Sequence, residues 1–389
     1  MLRIREYHRA ESLEEAYELN QKKTNHILAG GVWTKMGDRN WMCAIDLSGL
    51  GLDKIEETDE EFIIGCMVTL RDFETHPGLN AYTKGAAKES VCHIVGVQFR
   101  NCATIGGSLF GRFGFSDVLT LFLALDSYVE LYKAGTVSMK EFAAMPYDND
   151  ILVSVHVKKT PIAITCLSVR NSATDFPVLA TAVSEYDGRL HISIGARPVK
   201  AEVLELPLSE KDDLVQLADK VRASFTFGSN RRARADYRRH VAGVLVQRAC
   251  QTNGKQMKLH IWLNEKEYSD EISPDLPLLE YVRSKGCYSV KRGCETSNCG
   301  LCTVWVNGKP VLSCSVLAAR ADGTHVTTLE GVQDRAKEFG TYLANQGGEQ
   351  CGFCNPGFIM NVLAMEDELT DPTEAEIKEY LAGNLCRCS

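Results

Sequence analysis

Eight of the fifteen cysteines lie in the last quarter of the chain, where they form two groups of four. The first group reads C-x4-C-x2-C followed by a distant fourth cysteine, a spacing typical of a plant-type [2Fe–2S] cluster. It comprises Cys294, Cys299, Cys302 and Cys314. The second group comprises Cys351, Cys354, Cys386 and Cys388. Because such clusters gain and lose single electrons, the two spacings predict an electron carrier.

The residues around these cysteines fit a compact inorganic core. Gly293 and Gly300 lie beside ligands of the first group and let the backbone approach the cluster closely. In the second group, Asn355 and Pro356 predict the N-cap and the first residue of an apolar helix, whose positive end would face an anionic cluster. A capping-box pattern at 371–374 predicts another helix, which ends near residue 383.

Zinc ligation, disulfide bonds and simple burial are the other roles open to these cysteines. The first residues of the chain are charged and lack the apolar run of a secretion signal, so a reducing cytoplasmic location is expected and disulfides are not. Zinc sites usually show two C-x2-C pairs or a mixture of cysteine and histidine, which neither group has, and zinc stays the main alternative. Most of the other seven cysteines are predicted to be small core residues. They are Cys43, Cys66, Cys92, Cys102, Cys166, Cys250 and Cys287.

Composition indicates a soluble protein of several domains. With 389 residues, of which 44% are hydrophobic and 24% charged, the chain can bury more than one core, and two to four domains are expected. No apolar run is long enough to cross a bilayer, so no membrane association is predicted. The net charge of −8, carried mostly by residues 258–389, does not suggest nucleic-acid binding. One arginine-rich stretch at 231–239 is interpreted as a solvated helix face.

Sequence pattern divides the chain at a polar linker, residues 251–257. Before the linker the pattern is mixed α/β, with a helix near 13–19. Strands are predicted near 26–29, 151–157 and 190–194. Residues 258–331 alternate short strands, an Asn-Gly turn and one helix, which is a ferredoxin-like pattern. Residues 332–389 are predicted to be helical.

Two glycine-bearing segments in the first half point to a phosphate-containing ligand. Ala29-Gly30-Gly31 follows a strand, and Thr104-Ile105-Gly106-Gly107-Ser108 follows a turn. Paired glycines allow backbone N–H groups to close on a diphosphate, and hydroxyl groups add donors. Gly-Gly is also common in ordinary turns, so each motif is weak by itself. The sequence has no G-x-G-x-x-G motif opening a βαβ unit, which argues against a Rossmann NAD-binding fold.

Together these segments resemble the xanthine dehydrogenase and carbon monoxide dehydrogenase family of molybdenum hydroxylases. The run at 96–107, with the first Gly-Gly loop, is similar to the FAD domain of that family. The runs at 293–304, 350–357 and 383–388 resemble its two iron–sulfur domains. The resemblance extends over nearly the whole chain, and its cluster motifs are highly specific.

The resemblance implies an α+β multidomain fold. It consists of a vanillyl-alcohol-oxidase-like (PCMH-type) FAD domain, a plant-type ferredoxin β-grasp domain and a helical [2Fe–2S] bundle domain. The implied ranges are 1–160 for the FAD-binding α/β domain, 161–250 for the C-terminal part of the flavoprotein module, 251–257 for the linker, 258–331 for the ferredoxin-like domain and 332–389 for the helical domain.

The same resemblance assigns roles to particular residues. Both Gly-Gly loops would hold the diphosphate of FAD, and Asp117 and Leu152 would lie along the flavin. Core packing is the other role open to Leu152, and Asp117 could instead cap an apolar helix at 118–125. The family places the second cluster beside a molybdopterin, so Gln350 and Cys388 would be nearest to that cofactor. The implied cofactors are FAD, two [2Fe–2S] clusters held by the eight cysteines, and molybdopterin on a partner chain.

Three features depart from the family pattern. The FAD half precedes the iron–sulfur half, the reverse of the single-chain animal enzymes, and the sequence has no molybdenum domain. The loop Phe-Gly-Arg-Phe-Gly-Phe at 110–115 replaces the usual Ala-Ser-Pro type of segment beside the flavin, which leaves the electron acceptor open. The chain also ends at Ser389, directly after the last predicted ligand, where relatives continue.

The predicted function is an electron-transfer subunit in a hetero-oligomer with a large molybdenum-binding chain. Electrons would pass from molybdopterin through the Cys351 group and then the Cys294 group to FAD, and on to an acceptor such as NAD. The resemblance favours a purine-like N-heterocycle as substrate, but the sequence does not separate it from nicotinate, an aldehyde or an aromatic thioester. A self-contained flavin reductase is one alternative, although it should carry a nicotinamide-binding segment and has no use for the second cysteine group. A zinc-bearing scaffold is the other.

Overall fold

The computed structural model describes residues 2–252, 257–294 and 296–386, apart from the side chain of Thr252. By its internal contacts the chain divides into two compact units, Met1–Gly254 and Lys255–Ser389. The division falls inside the segment 251–257 that the sequence predicts to be a linker.

The first unit combines three β-sheets with mostly short helices. Its strands are β1 (Arg3–Arg9), β2 (Asn25–Leu28), β3 (Asn40–Asp46), β4 (Ile55–Glu57), β5 (Glu61–Gly65), β6 (Ser127–Leu131), β7 (Gly135–Ser138), β8 (Leu152–Lys158), β9 (Ala163–Arg170), β10 (Pro177–Tyr186), β11 (Arg189–Gly195) and β12 (Glu202–Pro207). Its helices are α1 (Leu13–Asn20), α2 (Leu70–Thr75), α3 (Pro77–Tyr82), α4 (Ala86–Cys92), α5 (Val97–Arg100), α6 (Ile105–Phe110), α7 (Asp117–Ala124), α8 (Met139–Ala144), α9 (Leu214–Ser224) and α10 (Ala235–Thr252).

The three sheets differ in strand direction. Strands β1, β3 and β2 form a parallel three-stranded sheet in that order. A five-stranded antiparallel sheet has the order β4-β5-β8-β6-β7, and a four-stranded antiparallel sheet has the order β12-β11-β10-β9. Strands β2, β8 and β11 confirm the three strands predicted from sequence, each within a residue or so, and the mixture of sheets and helices confirms the expected α+β class.

Helix α7 is the central helix of the first unit. All eight of its residues are buried, as expected of a helix that is apolar on every side. It packs against β10 and β11. Ser116 is its N-cap, because the Ser116 side chain accepts the N–H of Leu119. The capping role considered for Asp117 is therefore wrong; Asp117 is the first helical residue, and its carboxylate accepts a hydrogen bond from Arg170.

The four-stranded sheet is covered on both faces. The first eight residues of β10 are buried, and successive side chains of a strand point to opposite faces. Helix α7 packs on β10, and so does α10, which also packs on α9. In the arginine-rich stretch, Arg231, Arg234 and Arg239 are exposed, in line with a solvated face. Arg238 is the exception, since it is 0% exposed and donates to the carbonyls of Val178, Gly228 and Ala233.

The second unit contains one mixed sheet and a set of helices. Its strands are β13 (Met257–Leu263), β14 (Lys266–Ile272), β15 (Thr303–Val306), β16 (Lys309–Leu312) and β17 (His325–Thr327), in the order β14-β13-β17-β15-β16. Its helices are α11 (Leu278–Ser284), α12 (Gln333–Asn345), α13 (Asn355–Glu368) and α14 (Glu374–Leu381). Asn307 and Gly308 join β15 to β16 with φ of +49° and +79°, which confirms the predicted Asn-Gly hairpin turn.

The sheet and the helices of the second unit are packed together. Helix α13 lies against β15, and the Trp305 indole N–H donates to the Met360 carbonyl at 2.9 Å. At Gly357 the helix approaches so closely that a Cβ atom would lie 2.3 Å from the Gly300 carbonyl oxygen. The strand-rich part and the helical part therefore share a packed interface next to the first cysteine loop.

Helix ends in this unit follow the predicted capping with small shifts. Helix α14 begins at Glu374, after a capping box formed by Thr373 and Glu376, which lies two residues beyond the predicted pattern at 371–374. Helix α13 begins one residue earlier than predicted, because Cys354 occupies the N-cap position and Asn355 is already helical. Across the described residues, every helix is too short or too polar to span a lipid bilayer.

Candidate cofactor sites

A cavity of about 690 Å³ lies within the first unit. Most of the residues predicted to bind FAD line it: Ala29, Gly30, Gly31, Thr104, Gly106, Gly107, Ser108, Asp117 and Leu152. Ile105 does not; its side chain is fully buried in the hydrophobic core. The fold thus brings together two glycine loops that are more than 70 residues apart in sequence.

The first glycine loop offers unpaired backbone donors. Strand β2 ends at Leu28, and Gly31 follows with φ of +68°. A turn is closed behind it by the Lys35 N–H, which donates to the Gly31 carbonyl at 3.1 Å. Within the described parts of the chain, the backbone N–H groups of residues 30–34 donate to no protein acceptor. Successive free N–H groups in a turn form an anion-binding concavity, which fits a diphosphate.

The second glycine loop is built differently. Thr104 caps α6, and the N–H groups of 105–108 all donate within the protein: Ile105 to Val68, Gly106 to Cys66, and Gly107 and Ser108 to Thr104. These N–H groups are not free for a ligand. The expectation that the amides of both loops face a diphosphate is therefore supported for the first loop only. At the second loop, the feature that suits a ligand is the space left by glycine, which has no side chain.

Missing side chains also let the two loops touch. A Cβ atom on Gly30 would lie 1.8 Å from the Cys102 carbonyl oxygen, just before the second loop. A Cβ atom on Gly107 would lie 3.2 Å from both the Ala29 Cβ and the Thr104 hydroxyl. Gly106 has another role, since its Cβ would clash with Cys66 on the core side. The glycines are thus required by packing between the loops as well as by any ligand.

A buried ion pair lies in the cavity wall. The Arg170 guanidinium donates to the Asp117 carboxylate at 2.8 Å, and both side chains are more than nine-tenths buried. Burial raises the pKa of Asp117 to about 6, although the charge of Arg170 and its hydrogen bond act in the opposite direction. Arg170 also donates to the Asp175 carbonyl, which ties the pair to the loop before β10.

Four aromatic rings form a cluster on the cavity wall: Trp33, Phe113, Phe115 and Phe176. Phe113 stacks on Phe115 at 5.2 Å between centroids, and Phe115 meets Phe176 edge-on at 4.7 Å. Trp33 lies 5.4 Å from Phe176 and is 44% exposed. Behind the loop, the buried Arg112 donates to the Phe142 carbonyl at 2.7 Å. The unusual segment 110–115 is therefore anchored on one side and aromatic on the cavity side.

The first cysteine group lies on a loop already shaped around sulfur. The Cys294 sulfur accepts the N–H groups of Thr296 and Asn298, and the Cys299 sulfur accepts that of Cys294, each at 3.4 Å. Hydrogen bonds from the Thr296 side chain and these amides lower the pKa of Cys294 to about 6. Burial raises the pKa of Cys302. Because a thiolate is the metal-binding form, the Cys294 environment favours ligation.

The second cysteine group is partly described. The sulfurs of Cys354 and Cys386 lie 3.1 Å apart, although 32 residues separate them, and Cys351 is exposed. Gln350, which precedes Cys351, is also exposed. Cys388 lies outside the described residues. The structure thus brings one residue from each half of this group together at the start of α13.

The two cysteine groups are in direct backbone contact. The Leu385 N–H, next to Cys386, donates to the Cys299 carbonyl at 3.0 Å. Gly300 has φ of +70°, and a Cβ atom there would lie 2.7 Å from the Gly383 carbonyl oxygen. The first loop therefore requires, at Gly300, the close approach that glycine permits.

No three cysteine sulfurs of the described residues have the spacing of ligands around one zinc ion. Four sulfurs around one zinc ion at about 2.3 Å would lie about 3.8 Å from one another. In the described part of the chain, however, no three cysteine sulfurs lie within 4.8 Å of one another.

Two protein-family models match the chain. The model described as the FAD binding domain in molybdopterin dehydrogenase matches residues 2–159, and that of a [2Fe–2S] binding domain matches residues 328–389. The nicotinate dehydrogenase small FeS subunit of Eubacterium barkeri is 39% identical over 137 residues, which cover 34% of this chain and 87% of that protein. The xanthine dehydrogenase iron-sulfur-binding subunit of Escherichia coli O157:H7 is 42% identical over 147 residues, 36% of this chain and 84% of that protein.

The chain belongs to the xanthine dehydrogenase family of molybdenum hydroxylases. Solved structures of similar fold include carbon monoxide dehydrogenase from Hydrogenophaga pseudoflava, with a TM-score of 0.57 and 22% identity over 64% of this chain and 96% of that chain. Quinoline 2-oxidoreductase from Pseudomonas putida 86 has a TM-score of 0.56 and 19% identity over 63% and 95%. At these identities the likeness concerns the fold.

As a molybdenum hydroxylase chain, the protein has an FAD-binding domain and a [2Fe–2S]-binding domain and is part of an oxidoreductase. The cavity with its free amides fits FAD, and the cysteine loops fit [2Fe–2S] clusters. Sequence reasoning missed Arg170, Trp33 and Phe176. A usable signal for Arg170 was its position, since it is the one charged residue of its strand and ends it. Trp33 lies two residues after the first Gly-Gly pair.

Proposed function

We propose that this molybdenum hydroxylase chain carries electrons between a molybdopterin site on a large partner chain and FAD, and then to an acceptor such as NAD. When bound, the clusters supply single-electron steps and FAD supplies two-electron chemistry. The observation that carries the proposal is the contact of the two cysteine loops through the Leu385 N–H and the Cys299 carbonyl. This contact supports electron transfer between the two proposed ligand sets, because it joins the loops that carry them.

On the flavin side, the proposal assigns three roles to residues of the cavity. The free amides of 30–34 would hold the diphosphate of FAD, as the geometry of that turn suggests. Asp117, Arg170 and Leu152 would lie along the flavin and fix its orientation. The aromatic cluster would keep water from that end of the cavity and offer a flat surface to a planar acceptor such as a nicotinamide ring.

On the partner side, two exposed apolar residues are sequence neighbours of cysteines in the second group. Phe353 lies between Cys351 and Cys354 and is 48% exposed; Leu385 precedes Cys386 and is 57% exposed. Large apolar side chains in such a position are typical of the centre of a protein interface. The proposal therefore places the molybdenum-binding chain over Phe353, Leu385 and Gln350, with Cys388 expected in the same region.

Co-purification tests this docking. A tagged chain is expressed in its native host, and molybdenum, iron and the co-purifying large chain are measured. F353E and L385E should lose most of the molybdenum and the large chain but keep their iron. Y342E is the control, because Tyr342 is 61% exposed on a neighbouring helix and is not assigned to the interface. Full recovery of molybdenum with both variants, or none with the wild type, would contradict the proposal.

The acceptor and the substrate have separate tests. If NAD is the acceptor, anaerobic NADH should bleach the flavin absorbance of the purified chain by the reverse reaction, and W33A should slow it. No bleaching would exclude NAD. The relatives are named for nicotinate and xanthine, so an aromatic N-heterocycle is the proposed substrate class of the complex. Bleaching of the assembled complex by xanthine, nicotinate or neither would decide among them.

A further inference from the structure

Three potential metal ligands of different chemistry meet at the end of α4. They are the Glu89 carboxylate, the Cys92 thiol and the His93 imidazole, whose ligand atoms all lie within 4.8 Å of one another. His93 Nε2 lies 3.2 Å from Glu89 Oε1, and Cys92 Sγ lies 3.8 Å from Glu89 Oε2. The spacing i, i+3 and i+4 places the three residues on one side of the helix end.

These distances suit one shared ion. Around a tetrahedral ion with bonds of about 2.0 to 2.3 Å, neighbouring ligand atoms lie roughly 3.3 to 3.8 Å apart. Of the two separations in the structure, 3.8 Å lies at the upper end of that range and 3.2 Å lies 0.1 Å below its lower end. By contrast, among the described residues no three sulfurs of the two cysteine groups lie within 4.8 Å of one another. The Glu89 group therefore differs from the other cysteine sites in geometry as well as in ligand type.

Within the described residues, the hydrogen bonds and ion pairs of the three side chains stay inside the segment 89–93. Among the described residues, no lysine or arginine pairs with Glu89, whose ion-pair partner is His93. Cys92 is only partly buried, whereas four of the seven remaining cysteines are buried, as predicted for most of them. Glu89 is 48% exposed and His93 34% exposed, which leaves the group open to ions from solvent.

We propose that Glu89, Cys92 and His93 bind a divalent cation of the zinc class. Thiolate, imidazole and carboxylate together favour zinc over magnesium or calcium, which prefer oxygen ligands. Three protein ligands leave one coordination position for water or an incoming ligand. His93 also lines the cavity assigned to FAD, so the bound ion would lie at its wall. The site stands apart from the proposed electron-transfer role and does not depend on it.

Zinc binding by the holoprotein tests the site. The full chain, loaded with FAD and iron, is dialysed against zinc, and bound zinc is counted per chain by mass spectrometry. One equivalent is expected beyond that bound by the double variant C92S/H93Q. E89Q, C92S and H93Q should each weaken binding at least about tenfold. C102S is the matched control, because Cys102 is an exposed cysteine of the same unit and should leave binding unchanged.

Zinc-edge X-ray absorption then identifies the ligands. One sulfur with nitrogen and oxygen neighbours is expected. A shell of four sulfurs would mean that zinc has replaced iron in a cysteine group and would overturn the proposal, as would wild-type affinity in both C92S and H93Q. FAD and iron content are measured for every variant. If C92S lost FAD through misfolding, H93Q and E89Q would still decide the outcome.

Discussion

Gly31 shows how one residue can link backbone conformation to ligand binding. Its φ of +68° is a left-handed conformation that costs a residue with a side chain roughly 1–2 kcal/mol. No backbone atom crowds the position of a Cβ there; the nearest atom is Leu28 Cδ1 at 3.6 Å. Substitution at Gly31 should therefore disturb the turn that presents the free amides without damaging the packing between the loops.

The first prediction follows from this conformation. G31A should lower the FAD content of the purified chain severalfold, because alanine shifts the turn away from φ of +68°. G51A is the matched control, since Gly51 has φ of +70° with no atom within 4 Å of a Cβ and does not line the cavity. FAD is measured by absorbance against iron. Equal loss of FAD in both variants would mean that strain alone, and not the ligand turn, is responsible.

G107V is a harsher test of the same site. Its side chain would press on Ala29 and Thr104 at 3.2 Å, so FAD should be released while iron is retained. Gly106 is less informative, because a side chain there would first collide with the core at Cys66. Normal FAD content in G107V would refute the role assigned to this loop.

A prediction on pH concerns Asp117. Its folded pKa is about 6, above the ordinary value of 3.8, so between these pH values the folded chain binds a proton that the unfolded chain has released. Stability from this group is therefore present below about pH 4 and falls as the pH rises to about 6, by about 3 kcal/mol. D117N should remove this part of the pH dependence. Urea unfolding of both proteins from pH 4 to 7, followed by flavin release, measures it; identical pH profiles would contradict the assignment.

At the scale of elements, the two cysteine groups depend on one packed interface. Helix α13 and strand β15 are joined by the Trp305 to Met360 hydrogen bond, and the loops meet at Leu385 and Cys299. The ligands of each group nevertheless come from separate segments of the chain. One group should therefore keep its cluster when the other group loses its own. Because the two loops are in contact, the retained cluster should still show a small change in its environment.

C299S tests this expectation. Removing one ligand should abolish one electron paramagnetic resonance signal of the dithionite-reduced chain, with the second signal retained and slightly shifted. C287S is the control, since Cys287 is a buried cysteine of the same unit outside both groups. Loss of both signals in C299S, with both present in C287S, would show that the strand-rich and helical parts fold as one unit.

At the scale of the whole molecule, each unit carries its own kind of cofactor site. The cavity for FAD is lined only by residues of the first unit, and the described cluster cysteines all belong to the second. We expect about four iron atoms and one FAD per chain, since each group of four cysteines holds a two-iron core. Metal and flavin analysis after anaerobic purification checks the ratio. Stoichiometric zinc without iron in the cysteine groups would contradict it.

Local pattern in the sequence determined much of this protein. The cysteine spacing, the capping box before α14 and the Asn307-Gly308 turn each depend on neighbouring residues. The structure shows the turn as predicted and the capping box two residues further along the chain. The glycine loops were also recognisable, because a missing side chain is visible in a sequence. The roles of residues that act through such short-range geometry can be predicted from the sequence without knowing the fold.

Other features were decided by tertiary structure alone. Ser116 takes the cap of α7, so Asp117 is left to pair with Arg170, which is 53 residues away. In the second glycine loop, the amides of Ile105 and Gly106 donate to the distant carbonyls of Val68 and Cys66, whereas the amides of the first loop stay free. These hydrogen-bond partners lie far apart in the sequence, and only the folded chain brings them within bonding distance. Burial favours such pairs, because a buried polar group without a partner is costly. A single sequence does not record those distances.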